Sequence, residues 1–275
     1  MSLYRFMGRL FPFVQQQQNL HIFSDANSSA NAVFNALANP QNFEERRACN
    51  FITDGQGQLF VKTVTLKSLA SRLRVTFGWR RRSGQYDWPV AELLNNLGAH
   101  NQGSPTPKLR GFGFRRSSLG LVHEFYLITE ALAGYQDARH ALASGEVDVL
   151  KAVESIFNLM VELHSKNVHH LDLWCANIML DPQGQAQIKA IDLENCYVGA
   201  TEHLSQVLAF QFGFLYYEGL KAYLSEEEYD ELVKQALGYF SHIDLAVFMP
   251  IYSICKHRHI SRKGRIKLLK RGHLP

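Results

Sequence analysis

The chain has 275 residues, a formal net charge of +4, 46% hydrophobic residues and 20% charged residues. Those proportions exclude a disordered or fibrous chain, and the length suits one two-lobed domain or two small ones. The cysteines, Cys49, Cys175, Cys196 and Cys255, fall singly, without the short spacing of a zinc or redox motif, so a reducing cytoplasm is expected.

The segment from Met1 to Val14 is too broken by Arg5 and Arg9 for a signal peptide and too short for a membrane span. Gln15 to Gln18 reads as a polar linker or an exposed helix end. A hairpin follows, with strands Arg47 to Thr53 and Leu59 to Val64 around the turn Asp54-Gly55-Gln56-Gly57. Asp87 to Leu97 has helical spacing, with Trp88, Ala91, Leu94 and Leu97 along one side, Pro89 in the first turn and Gly98 as terminator. A polar loop from Ala99 to Pro107 leads to two strands, Lys108 to Arg115 and Leu121 to Glu130, and then to the joint Ala131 to Gly134.

Beyond the joint the pattern turns helical. Val147 to Lys166 carries Leu150, Val153, Ile156, Phe157, Met160 and Leu163 as one stripe, and Ile243 to Cys255 reads as a buried helix pair. A strand-rich half of residues 1–132 and a helical half of residues 133–275 are therefore expected, with a ligand cleft between lobes.

The stretch from His169 to Glu194 carries the chemistry. It runs His170-Leu171-Asp172-Leu173-Trp174-Cys175-Ala176-Asn177, then a short strand, the turn Asp181 to Gly184, and an apolar strand ending at Ile191-Asp192-Leu193-Glu194. The turn folds the chain back, so Asp192 is expected beside Asn177, with Asp172 on the same loop. Magnesium asks for hard oxygen ligands, and phosphoryl transfer asks for a positioned metal, positioned phosphates and a carboxylate for the attacking hydroxyl. Histidine, aspartate and asparagine at this spacing, followed by a strand-terminal aspartate, match a protein-kinase catalytic loop with its metal-binding aspartate. On this reading Asp172 orients the acceptor hydroxyl and takes its proton, while Asn177 and Asp192 hold Mg²⁺. His170 braces the loop, and Glu194 is either a second metal ligand or solvated.

Such a site needs a strand-borne lysine for the ATP phosphates, paired with an acid on the next helix. Lys62 takes the first role. Asp87, with Ala91 and Leu94 four and seven residues on, is preferred to Glu92 as its partner. No G-x-G-x-x-G precedes Lys62, and Asn42 to Arg47 is the expected phosphate-covering segment, with Arg46 and Arg47 in place of glycine N–H groups.

Taken together, these residues resemble the bacterial lipopolysaccharide core kinases, the heptose and Kdo (3-deoxy-manno-octulosonic acid) kinases. The resemblance runs from about Phe43 to Glu194 and includes Glu45-Arg46-Arg47, Leu59-Phe60-Val61-Lys62, Asp87-Trp88, Leu94 to Gly98, Thr106-Pro107, Ile128-Thr129-Glu130 and the His170 loop. Family members typically have glutamate at the position of Asp87. The resemblance implies an α+β, protein-kinase-like fold and ATP-dependent phosphorylation of a sugar hydroxyl of the inner core, a glycolipid or its oligosaccharide. It places the chain in the cytoplasm, peripheral to the inner face of the membrane. Two basic clusters suit such a surface rather than nucleic acid: Arg72 to Arg82, and Lys256 to Arg271, the latter expected outside the catalytic core. A protein or aminoglycoside-like kinase and a nucleotide-binding pseudokinase stay open as alternatives.

Overall fold

A computed structural model describes residues 3–38, 49–82, 84–181, 183–184 and 187–274. The chain divides into two compact units, Met1–Leu97 with Pro107–Ala133, and Gly98–Thr106 with Gly134–Pro275. The short excursion 98–106 thus belongs with the helical unit, although it lies within the expected strand-rich half.

The first unit is built on six antiparallel strands in the order β1-β2-β5-β6-β4-β3. They are β1 (Phe13–Gln17), β2 (Leu20–Ser24), β3 (Cys49–Thr53), β4 (Gln58–Thr65), β5 (Leu109–Arg116) and β6 (Val122–Glu130). Most of the glutamine tract is therefore part of an edge strand, not a linker: Gln15, Gln16 and Gln17 pair across to β2, from Gln15↔Ile22 to Gln17↔Leu20, and Gln18 turns the chain at φ 52°. Edge position explains the polarity that concealed it. Helices α1 (Leu3–Leu10), α2 (Asn27–Ala38), α3 (Leu69–Phe77) and α4 (Trp88–Asn101) complete the elements that begin in this unit.

Alternation along β4 sends Leu59 and Val61 to one core, with Ile128 and Tyr126, and Val64 to the other, with Val90 and Leu93 of α4. Lys62 shares the face of Val64, the face that α4 covers. The buried stripe of α4 is Pro89, Val90, Glu92, Leu93, Asn96 and Ala99, out of phase with the stripe expected from Trp88, Ala91, Leu94 and Leu97. Two polar residues occupy that stripe, which is why apolar periodicity misplaced it. Nor does Gly98 end the helix. A Cβ there would lie 3.1 Å from Val198, so the glycine serves close packing and α4 continues to Asn101.

The second unit comprises α5 (Ala138–Ser144), α6 (Val149–Ser165), α7 (Leu204–Leu215), α8 (Glu226–Leu237), α9 (Leu245–His257) and α10 (Arg262–Arg271), with short strands β7 (Gln136–Asp137), β8 (Val168–His170), β9 (Ile178–Leu180), β10 (Lys189–Ala190) and β11 (Cys196–Val198). Helix α6 starts at Asp148, whose side chain accepts the Lys151 N–H, and buries Val153, Ile156, Phe157, Met160 and Leu163; Leu150 faces out. Helix α7 is buried nearly all round, as its almost unbroken apolar sequence requires. Residues 245–257 form one helix through Pro250 rather than a helix pair. Among the described residues no helix is long and apolar enough to cross a membrane.

Candidate active site

The helical unit holds the His170–Glu194 loop between two antiparallel pairings. Strand β8 pairs with β11, His170 opposite Cys196, and β9 pairs with β10, Met179 opposite Lys189. Leu171 and Leu173 are buried on either side of Asp172 and anchor the loop in two separate cores.

His170 ties the loop together. Its Nδ1 accepts the Asp172 N–H at 3.2 Å, and its Nε2 donates to the Ile191 carbonyl at 2.9 Å. That pattern requires the neutral imidazole, and burial pushes the ring's pKa down. Behind it, Gln211 of α7 donates to the His170 carbonyl and accepts from His164 of α6. His164 is driven down to about 3 by burial and by the neighbouring His169. Sequence spacing gave no sign of Gln211, because it lies forty-one residues away within an apolar helix.

Asn177 and Asp192 come together as the turn chemistry implied. The Ile191 N–H donates to the Asn177 carbonyl at 2.9 Å. The Asn177 side-chain Nδ2 donates to the Asp172 carbonyl at 2.9 Å, which directs its Oδ1 to the opposite side. Asp192 adopts φ 60°, ψ 61°, the left-handed region that non-glycine residues enter mainly as Asn or Asp. One of its carboxylate oxygens lies within 4.8 Å of one from Glu194. Asn177 Oδ1 and the Asp192 carboxylate are hard-oxygen donors, the kind that Mg²⁺ takes.

Asp172 has partners beyond the loop. Its Oδ1 accepts from Arg265 of α10, and Asn195 approaches its Oδ2 at 3.4 Å. Arg262, one turn earlier on α10, pairs with Glu194 at 2.5 Å. Lys256 is buried as well, at 2.6 Å from both Glu226 and Asp230. The C-terminal basic cluster was expected outside the catalytic core, and this needs correction. Lys256 and Arg265 are internal counter-ions, drawn inward by carboxylates that linear reading could not place beside them.

The sheet unit carries its own set. Lys62 Nζ lies 2.9 Å from Glu92 Oε1 and 3.1 Å from Oε2, with the Glu92 carboxylate buried. Asp87 is not its partner. Arg74 holds Asp87 at 2.6 Å, and Arg81 pairs with its other oxygen. Five residues separate Asp87 from Glu92, about 140° around the helix and ~7.5 Å along it, so only one of them can address β4. Glu92 lies on the buried stripe, and Asp87 sits just before the helix. Of the basic stretch before α4, Arg81 is thus committed to Asp87, and Arg80 stacks over Tyr86 at 4.5 Å. The expected phosphate-covering residues Arg46 and Arg47 lie outside the described residues.

The sequence model of the Lipopolysaccharide kinase (Kdo/WaaP) family matches residues 43–207, more than half of the chain. The chain belongs to this family. It is accordingly a kinase that uses ATP, and its division into an antiparallel sheet unit and a helical unit is of the α+β class expected. A search of curated proteins finds no match. Among solved structures, similarity is found to the bifunctional kinase-methyltransferase WbdD, at 14% identity and TM-score 0.47, covering 78% of this chain and 43% of WbdD. The chain thus spans less than half the length of that protein. WaaP in complex with acyl carrier protein matches at 15% identity and TM-score 0.41, over 90% and 95% of the two chains. A homolog of Stt7 from Micromonas algae, soaked with ATP, matches at 14% and 0.40, over 53% and 44%.

Proposed function

We propose that this lipopolysaccharide kinase phosphorylates a sugar hydroxyl of the inner core, heptose or Kdo, at the inner face of the cytoplasmic membrane. The observation that carries the site assignment is the pinning of Asp172, Asn177 and the chain at Ile191-Asp192 to one another through His170 and the Asn177 amide. Asp172 is assigned to the acceptor hydroxyl. It takes the proton as the hydroxyl oxygen bonds to the γ-phosphorus and the bond to the bridging oxygen of ADP breaks. Asn177 Oδ1 and Asp192 are assigned to Mg²⁺, which supplies charge neutralisation at the phosphate oxygens when bound. Lys62, held by Glu92, is assigned to the phosphates of ATP.

Approach to a lipid-anchored acceptor is supported by the outer face of α3. Leu69, Phe77 and Trp79 are exposed there, and Phe77 stacks on Trp79 at 4.7 Å. From Gly55 to Tyr86 the chain has no acidic residue and seven basic ones. Exposed aromatics beside arginines suit an anionic bilayer surface.

Incubation with radiolabelled ATP, Mg²⁺ and dephosphorylated lipopolysaccharide tests the reading. Label should enter the core glycan, and mass spectrometry of the released sugars then separates heptose from Kdo. Label in protein, or in an added aminoglycoside but not in the glycan, overturns the acceptor assignment.

A further inference from the structure

Asp172 is reached by a cation from far along the chain. Arg265 donates through Nη1 to the Asp172 carboxylate and, at 3.0 Å, to the Leu171 carbonyl, and through Nε to the Ile260 carbonyl at 2.9 Å. Its guanidinium lies over Phe214, 4.2 Å from the ring centroid, and it is almost wholly buried. We propose that Arg265 is a positioning residue for phosphoryl transfer, whose guanidinium fixes the rotamer of the Asp172 carboxylate from the protein side and leaves Oδ2, approached by Asn195 only at 3.4 Å, to the acceptor hydroxyl. The inference rests on the assignment of Asp172 as the acceptor-binding carboxylate.

Three observations converge on it. The first is local. Protein-kinase loops of this type read His-Arg-Asp, whereas here Leu171 fills the middle position and turns into an apolar core. The loop therefore lacks a cation of its own, and α10 delivers one to the aspartate. The second is geometric. A single Nη1 bridges the backbone before Asp172 and the Asp172 side chain, so the guanidinium sets the carboxylate relative to its own peptide. A lysine ammonium, a point charge without the planar fork, cannot keep this geometry together with the Ile260 bond. The third is energetic. Burying a guanidinium between aromatic rings is unfavourable compared with an apolar side chain of similar volume. A helix that merely closed over Phe210 and Phe214 would be served as well by leucine or methionine.

A purely structural staple is the competing explanation, and kinetics separates the two. Arg265→Ala should lower kcat for transfer to dephosphorylated core oligosaccharide by ~10–10², as misplacement of a catalytic group does. The KM for ATP should stay within about twofold, and millimolar guanidinium hydrochloride, far below denaturing levels, should restore part of kcat. Lys270→Ala, on the exposed face of the same helix, should match wild type. A wild-type kcat for Arg265→Ala, or a loss that guanidinium does not relieve, overturns the proposal. If the alanine variant lacks a cooperative melting transition, Arg265→Lys decides. It should fold with reduced kcat and unchanged KM, and full activity in that variant overturns the need for the fork. Asp172→Asn is measured in parallel. If it keeps wild-type turnover, the assignment of Asp172 fails and this inference falls with it. If it is inactive while Arg265→Ala is not, only the role of Arg265 is lost.

Discussion

The ion pairs around α4 and those around Asp172 are built in opposite ways. At α4 the acid is buried and the cation is accessible: side-chain exposure is 4% for Glu92 against 25% for Lys62, and 1% for Asp87 against 27% for Arg74, whereas Arg110–Asp25 and Arg115–Glu124 elsewhere in the sheet unit show no such bias. In the helical unit the cation is buried and the acid is accessible, 5% for Arg265 against 17% for Asp172, and 4% for Lys256 against 43% for Asp230. A pair closed on one side presents the charge of its other member. Lys62 thus presents positive charge, suited to phosphates, and Asp172 presents a carboxylate, suited to a hydroxyl proton. Arg262–Glu194, 62% against 12%, runs the other way within the helical unit, as does the surface pair Lys234–Glu231, 78% against 59%.

The sharpest way to break the comparison is to remove the presented acids. Asp172→Asn should lower turnover by ~10²–10⁴, with ATP binding close to wild type. Asp192→Asn should be comparably damaging in turnover and should restore little at high ATP, because a metal ligand is lost rather than a nucleotide contact. Both variants should retain cooperative melting. A variant of either residue that mainly weakens ATP binding would contradict the division of labour between the units.

The presented cations give the next largest effect. Lys62→Ala and Glu92→Ala should each raise the ATP requirement, and a double-mutant cycle should show coupling of ~0.5–3 kcal/mol. Asp87→Ala should combine additively with Lys62→Ala. Its effect should fall on stability instead, about 1–2 kcal/mol, because the arginines it leaves behind are partly solvated. Coupling between Lys62 and Asp87, with none to Glu92, would reverse the assignment that the hydrogen bonds support.

The catalytic loop was legible because its parts are consecutive. Histidine, aspartate, asparagine, a turn and a strand-terminal aspartate fix one another locally, and the antiparallel pairing of β9 with β10 follows from the same order. The sheet was legible at β3, β4, β5 and β6, but not at β1, whose edge position tolerates glutamine, nor at its short partner β2. Glu92 was passed over because helical phase was read from apolar residues, while the buried stripe of α4 contains Glu92 and Asn96. Arg265 and Gln211 were invisible for a different reason: each meets the loop only after folding, across ninety-three and forty-one residues. Charge clustering misled in the same way, since a basic run says nothing about which members point inward.

Acidity provides a smaller and more distributed test. The helical unit backs its carboxylates with histidines held neutral: burial lowers the pKa of His164, His169 and His170. A folded-state value below the unfolded one means that the unfolded chain binds more protons once pH drops under the unfolded value. The stabilisation is therefore complete above about pH 6.5 and is lost as pH falls through the range below it, at up to ~1.4 kcal/mol per pH unit for each histidine. His164, at about 3, carries this slope down to about that pH. Denaturant midpoints should fall between about pH 6.5 and about pH 5, and hydrogen exchange should locate the loss of protection in α6, β8 and α7. His21 and His123 of the sheet unit shift in the same direction, so an equal loss in β2 and β6 would show that the histidines do not distinguish the units.

The Arg262–Glu194 pair offers the smallest expected effect, and it decides whether exposure or position governs the pairs at the loop. Arg262 is the accessible member of its pair, and it caps a carboxylate whose side chain is mostly covered. If exposure governs, the pair behaves like a surface salt bridge, and Arg262→Ala should cost less than ~1 kcal/mol. Among the described residues Glu194 would keep the long approach of Asn195, at 3.4 Å, which is too weak to hold it alone. Its carboxylate, within 4.8 Å of that of Asp192, would then be freer to serve a cation. Turnover of Arg262→Ala should therefore be unchanged at saturating Mg²⁺, and the Mg²⁺ concentration for half-maximal rate should fall slightly. Glu194→Gln should move that concentration upward, by less than Asp192→Asn does. A stability loss well above the surface range, or a Mg²⁺ dependence untouched by both substitutions, would make Arg262–Glu194 a structural pair and leave Asp192 and Asn177 as the whole metal set.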